Sequence, residues 1–174
     1  MKLGSISTKS LLVGTITGAA ILLGSEAGAA ETERVMHQNA SNACQGALPA
    51  FAGTLRSRPL AVQNEGETTA FVTCSLPTEG AFGNINRLSV WFKNQNSGTR
   101  AVHCTGVFGA VRGPIADSVV KGVVVPGGGG MAGLTWRPED TGGTLKGPAN
   151  VSCALGPGVG VTDLFIYYDV EIGL

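Results

Sequence analysis

Apolar and polar residues alternate along this chain with the two-residue period of β-strands, not the longer period of helices. Residues 71–76 read Phe-Val-Thr-Cys-Ser-Leu, and the Val-x-Cys pattern returns as Ala-Val-His-Cys at 101–104 and Asn-Val-Ser-Cys-Ala-Leu at 150–155. Residues two apart in a strand share a face, so each Val points with its Cys toward a core while Thr73, His103 and Ser152 point to solvent. Residues 87–93 set Leu88, Val90 and Phe92 on one side and Arg87, Ser89, Trp91 and Lys93 on the other. Residues 162–172 set Leu164, Ile166, Tyr168, Val170 and Ile172 against Phe165, Tyr167, Asp169 and Glu171. Shorter strands are expected at 60–64, 118–125 and 131–136, and loops at 77–86 and 137–148, where Gly, Pro and Asn gather.

The connections suggest neighbours. The polar cluster Glu65-Gly66-Glu67 predicts a hairpin between 60–64 and 71–76, and the turn at 94–98 makes the strands of Trp91 and Cys104 antiparallel neighbours. The four glycines 127–130 read as a flexible hairpin loop. A helical turn over 43–51 is interrupted by Pro49 and Gly53. About eight short strands without a long helix predict an all-β fold, an antiparallel β-sandwich of jelly-roll or immunoglobulin-like outline, with a Gly-rich barrel as the alternative.

The first residues are of another kind. Lys2 and Lys9, an apolar run over 11–23 and Ala27-Gly28-Ala29 form a secretory signal peptide over 1–29. Its apolar run falls short of the roughly 20 residues that cross a bilayer. The mature chain is then a flexible, polar arm over 30–42 and a single sandwich domain over 43–174, exported to the periplasm or beyond the cell, with no transmembrane segment. Outside the cytoplasm thiols pair, and Cys44, Cys74, Cys104 and Cys153 allow three connectivities. Cys44 with Cys74 and Cys104 with Cys153 is favoured, because the first ties the arm to the sheet and the second joins two well-formed strands. A metal site is disfavoured: no Cys-x-x-Cys is present, the spacings are 30, 30 and 49 residues, and only His37 and His103 could assist.

These features together, Cys44, Val72-Cys74, Val102-Cys104, Val151-Cys153-Leu155, Gly156-Pro157-Gly158 and the acidic aromatic end 167–171, resemble a group of uncharacterised small secreted bacterial proteins with Val-x-Cys strands and two disulfides. The resemblance spans about residues 43–173. It implies the fold and export, and no activity or functional residue.

Charge excludes one class of partner. The chain carries 12 basic and 12 acidic residues; without Lys2, Lys9 and Glu26 the mature part holds 10 and 11, a formal charge of about −1. Its arginines are scattered, so the basic face that nucleic acid requires is not expected. Catalytic signatures are equally thin. His103 points outward beside a cysteine, and no Gly-x-Ser-x-Gly elbow accompanies it. Asp169 and Glu171 share a strand face at roughly 6–7 Å, a spacing relevant to a glycosidase but equally that of a solvated edge. The glycine run lacks the Gly-Lys-Ser/Thr of a phosphate loop, and Glu139-Asp140 lacks the alternating oxygen ligands of a calcium loop. Asn39-Ala-Ser41 and Asn150-Val-Ser152 match the glycosylation sequon. No cofactor is implied.

What stands out is aromatic. Trp91, Phe165 and Tyr167 fall on outward-facing positions, where flat rings stack on sugars or anchor a protein. The expectation is a secreted, non-enzymatic sandwich binding a glycan or a protein, in the cell envelope or outside the cell, through this aromatic face or its loops. A subunit of a surface assembly and a carboxylate-based hydrolase are the alternatives.

Overall fold

The computed structural model describes residues 30–76, 84–109 and 117–172. The expected signal peptide lies outside them, as does most of the loop expected over 77–86, whose last residues begin a strand instead. The strands are β1 Ala30–Asn39, β2 Cys44–Gly46, β3 Leu55–Arg58, β4 Ala61–Asn64, β5 Ala70–Leu76 and β6 Asn84–Asn94. They continue with β7 Arg100–Phe108, β8 Asp117–Val125, β9 Gly130–Trp136, β10 Leu145–Lys146, β11 Ala149–Leu155 and β12 Val159–Ile172. One helical turn, α1, spans Ala40–Ala43, and two 3-10 turns lie at Pro49–Phe51 and Pro138–Thr141. Pro49 opens its turn and does not interrupt one, as its fixed φ and missing N–H allow.

Two antiparallel sheets face each other. In the five-stranded sheet the order is β2-β5-β11-β7-β8, so the three Val-x-Cys strands lie side by side. In the seven-stranded sheet β12 and β6 pair centrally; β4 and β1 share the far side of β12, and β9 and β10 share the far side of β6. The inner faces form the core: Val72, Val102 and Val151 against Phe92, Leu88, Val90, Leu164 and Ile166, all without solvent exposure. This is the antiparallel sandwich the alternation predicts.

Both disulfides join residues directly opposite in the five-stranded sheet. Cys44 faces Cys74 and Cys104 faces Cys153, with Cα atoms 4.0 and 4.1 Å apart. The favoured connectivity is the one formed.

Three expected hairpins are crossings between the sheets. β4 pairs with β3 and β12 while β5 pairs with β2 and β11; β6 and β7 lie in opposite sheets, and so do β8 and β9. The reason is visible in two buried asparagines. Asn64 Nδ2 donates to Thr68 O and Leu155 O, both at 2.8 Å, and its Oδ1 accepts Gly66 N at 3.0 Å. Asn94 repeats this with Gly98 O at 2.8 Å, Val125 O at 3.3 Å and Asn96 N at 3.0 Å. Each amide satisfies its own turn and the end of a strand in the other sheet, converting a hairpin-like sequence into an arch. Gly158, at φ +72°, completes this end of the sandwich: its N–H donates to Asn64 O, and a Cβ there would stand 2.4 Å from Asn96 Nδ2.

The segment expected to be a flexible arm over 30–42 is β1 followed by α1. β1 pairs residue for residue with β12, from Ala30 opposite Ile172 to Asn39 opposite Asp163. Its polar sequence hid it because only one face meets the core, chiefly through Met36. No helix among the described residues is long and apolar enough to cross a membrane.

Candidate functional site

The outer face of the seven-stranded sheet is set by the phase of β12 and β6. In β12 the inward residues are Val159 and Val161 and then Leu164, Ile166 and Tyr168. The change of parity is a β-bulge: Val161 faces Phe92 and Leu164 faces Val90, so Thr162 and Asp163 together oppose Trp91. Thr162 Oγ1 donates to the Trp91 carbonyl at 3.3 Å. A second bulge gives β6 an extra residue, Asn86, between Ile85 and Arg87. Between the two bulges Phe165 and Tyr167 stand outward beside Ser89 and Arg87.

Cross-strand register carries this face outward to both neighbours. His37 of β1 lies opposite Phe165, Thr135 of β9 opposite Ser89, and Gly133 of β9 opposite Trp91. The β6–β9 ladder ends at Leu88 opposite Trp136, so the next pair of positions is Arg87 and Arg137. Trp91, Phe165 and Tyr167 therefore converge. With Arg87, Arg137 and the hydroxyls of Ser89 and Thr135 they line one groove of about 410 Å³.

Each ring has a defined support. A Cβ added at Gly133 would lie 3.1–3.3 Å from three atoms of the Trp91 indole, so the ring rests on bare backbone. Trp91 remains 40% exposed. Phe165 stacks on His37 with centroids 4.4 Å apart and planes 8° from parallel, and His37 Nε2 meets Asp163 Oδ1 at 2.9 Å. The Arg87 guanidinium sits 3.8 Å from the centre of the Tyr167 ring. Ser89 Oγ and Thr135 Oγ1 share a hydrogen bond of 2.9 Å on the groove floor. The N-terminal strand thus covers one face of Phe165, and Trp91 offers the least encumbered platform.

A second, more apolar groove of about 630 Å³ continues along the same face past Trp91, lined by Leu60, Met131, Lys93, Thr162 and Asp163 among others. Arg87 to Lys93 spans six residues of strand, about 20 Å at the usual rise. The face is long enough for an oligosaccharide.

The other sequence candidates do not line the groove of Trp91, Phe165 and Tyr167. His103 is exposed on the opposite sheet, its ring over Gly122. Asp169 faces Glu33 across β1 and β12, and Asn86 Nδ2 bridges them at 2.9 and 3.1 Å, so this carboxylate is held as an acceptor. Asp140 pairs with Lys121 at 2.6 Å and accepts the Arg137 N–H at 2.7 Å. Partial burial pushes the Asp140 pKa up; the bond to Lys121, the Arg137 N–H and the charges of both residues outweigh it and hold the carboxyl below its ordinary value. Both sequon asparagines are engaged within the chain, Asn39 with Ser41 and Asn150 with Ser75. Among the described residues no three His, Cys, Asp or Glu side chains gather where a metal ion could be held.

Alternation alone placed Trp91, Phe165 and Tyr167 outward. It missed Thr135, Arg137, Gly133 and His37, which arrive from strands whose neighbours could not be read from the chain. Gly133 opposite Trp91 is a signal only once β9 is known to pair with β6.

No protein-family model and no curated protein matches this chain. Among solved structures it is similar to the GH26-CBM35 β-(1,4)-mannanase of Podospora anserina, at 12% identity and TM-score 0.44, over 80% of this chain and 28% of that one. It is similar to the exo-β-1,3-galactanase of Phanerochaete chrysosporium, at 19% identity and TM-score 0.41, over 76% of this chain and 29% of that one. TmCBM61, solved with β-1,4-galactotriose, matches at 16% identity and TM-score 0.36, over 79% of this chain and 88% of that one. This chain spans less than a third of the length of the two enzymes. Likenesses this distant assign neither a ligand nor an activity.

Proposed function

We propose that this chain is an exported, non-catalytic protein that binds a glycan on the outer face of its seven-stranded sheet. The observation that carries the reading is the convergence of Trp91, Phe165 and Tyr167 on one groove, with the Trp91 ring laid flat over Gly133. A sugar ring presents a flat array of C–H groups, and an indole supported from below is already ordered to receive it, so little side-chain entropy is lost on binding. Hydroxyls at Ser89 and Thr135 and guanidiniums at Arg87 and Arg137 supply polar contacts around it.

Tryptophan fluorescence tests this directly, because Trp136 is fully buried and Trp91 is the exposed one of the two. Titration with a panel of polysaccharides should change the Trp91 emission. Trp91→Ala should weaken binding most, roughly tenfold or more when contacts within the stack are included, and Phe165→Ala least, since His37 already occupies one of its faces. A panel without any binder, or equal binding by a Trp91→Ala/Tyr167→Ala variant, would defeat the reading.

The edge strand β8 supports a second reading, assembly by strand addition, because Val120 and Val124 are 69% and 62% exposed along it. Against it, the Val119 carbonyl accepts Trp136 Nε1 at 3.1 Å and Lys121 reaches Thr135 O at 2.8 Å, folding this edge onto β9. Size analysis of the native protein separates the two: a monomer at high concentration excludes assembly.

A further inference from the structure

The groove is rich in donors and poor in acceptors. Arg87 and Arg137 bring ten guanidinium N–H groups by the chemistry of the side chain, and no carboxylate or side-chain amide lines the groove. Its side-chain acceptors are the Tyr167 phenol and the hydroxyls of Ser89 and Thr135, which already bond to each other. Every hydroxyl of a neutral sugar brings an O–H donor as well as acceptor lone pairs, and those donors would find few partners in this groove. A ligand bearing groups that only accept would not have that difficulty.

The surrounding carboxylates are also engaged. Asp163 is bound to His37, Asp169 and Glu33 to Asn86, and Asp140 to Lys121. Arg87 and Arg137 each lie one residue beyond the Leu88–Trp136 pair that ends the β6–β9 ladder, and both line the groove. The chain as a whole is neutral, with 12 basic and 12 acidic residues, and the groove lining holds two guanidiniums and no acid; the nearby Asp140, which feels the charge of Arg137, is already paired with Lys121. Arg87 lies over Tyr167 at 3.8 Å. A guanidinium stacked through its face keeps the N–H groups of its edge for a planar, two-oxygen partner.

We infer that the glycan taken by this groove is an acidic one, whose carboxylate or sulfate groups are received by Arg87 and Arg137 while its rings lie on Trp91. The inference rests on the glycan reading above and names its substrate class.

The test is calorimetric titration of the full mature chain with four probes of matched length: an oligogalacturonate, a sulfated oligogalactan, a neutral oligogalactoside and an oligothymidylate. An acidic sugar should bind roughly tenfold or more tightly than the neutral one, the fold-change carried by one charge-assisted hydrogen bond. That preference should collapse in about 1 M salt, where the screening length falls to ~3 Å. Arg87→Gln and Arg137→Gln should lose the preference while the Trp91 emission and the circular dichroism stay those of the parent. The two acidic probes identify which anion is taken. Equal or tighter binding of the neutral sugar overturns the acidic class and leaves the glycan reading intact. Binding of no sugar overturns both, and tighter binding of the oligothymidylate than of either acidic sugar overturns the inference in favour of single-stranded nucleic acid.

Discussion

Replacing Asn64 by Ala removes three hydrogen bonds from a side chain with no solvent exposure: two given to Thr68 O and Leu155 O and one received from Gly66 N. At roughly 1 kcal/mol net per bond the loss is about 3 kcal/mol, and more where a carbonyl is left dry. For a domain of this size that corresponds to a fall in Tm of roughly 6–12 °C. Asn94→Ala should cost slightly less, because its bond to Val125 O is 3.3 Å where the equivalent bond to Leu155 O is 2.8 Å. Asn64→Asp separates hydrogen bonding from packing. It keeps the volume but turns an acceptor toward two carbonyls, so it should destabilise at least as much as Ala. Urea unfolding followed by tryptophan fluorescence gives the free energies, with exposed Ser97→Ala as a control expected to stay within about 0.5 kcal/mol. A loss below about 1 kcal/mol for Asn64→Ala, or near-parental stability for Asn64→Asp, would refute the claim that these amides hold the arches.

Further outcomes follow from the same geometry. Cys104→Ala/Cys153→Ala opens a loop of 49 residues and should cost about 4 kcal/mol on the chain-entropy model; a change under about 1 kcal/mol in denaturant midpoint analysis would show that the bridge adds little. Gly133→Val should lift the Trp91 ring from its backbone seat, increasing acrylamide quenching of Trp91 and weakening the proposed glycan binding, and unchanged quenching would contradict the seating. The lowered Asp140 pKa means that its ionised form stabilises the fold above the ordinary carboxylate range, and that this stability is lost as pH falls through the lowered value. Lys121→Met should therefore have a lower Tm than the parent at neutral pH, with the gap closing in acid; a gap that persists in acid would assign it to packing.

Much of the core was legible because three Val-x-Cys strands repeat one alternation and must share one face. The outward aromatics were legible for the same reason. What alternation could not convey was partnership. The turns after Asn64 and Asn94 carry the polar and glycine residues of hairpins, and only a buried amide reveals that they cross between sheets. A trace of this does exist in the chain: each asparagine stands ten residues before a cysteine, Asn64 before Cys74 and Asn94 before Cys104, with Thr69 and Thr99 equivalently placed between them. The repeat is thus longer than Val-x-Cys, and its first residue is the one that sets topology. β1 escaped notice because its partner is far along the chain, His37 and Asp163 being 126 residues apart, and because its outer face is wet. The bulge at Thr162 and Asp163 shows in the sequence as a change of parity, from Val159 and Val161 to Leu164 and Ile166.

The two outer faces argue for where function resides. Across the five-stranded sheet the outward positions are filled by small or uncharged residues such as Thr73, Ser75, Ser152, Ala154 and Thr105. It also carries exposed apolar side chains, Phe71, Val120 and Val124, but among the described residues no groove on it joins convergent aromatic and charged groups. The seven-stranded sheet is different. It places a tryptophan over a glycine in mid-strand, brings two arginines to one groove, and breaks two strands with bulges. Each of these departs from what stability alone would select: glycine weakens a strand, like charges repel, and a bulge leaves a residue unpaired. Departures concentrated on one face, around one groove, are the expected mark of a surface shaped for a partner. The buried asparagines flank the start of β12 through their backbones, Asn64 O accepting Gly158 N–H and Asn94 standing opposite Val159, and the bulge at Thr162 and Asp163 then decides which rings face the groove.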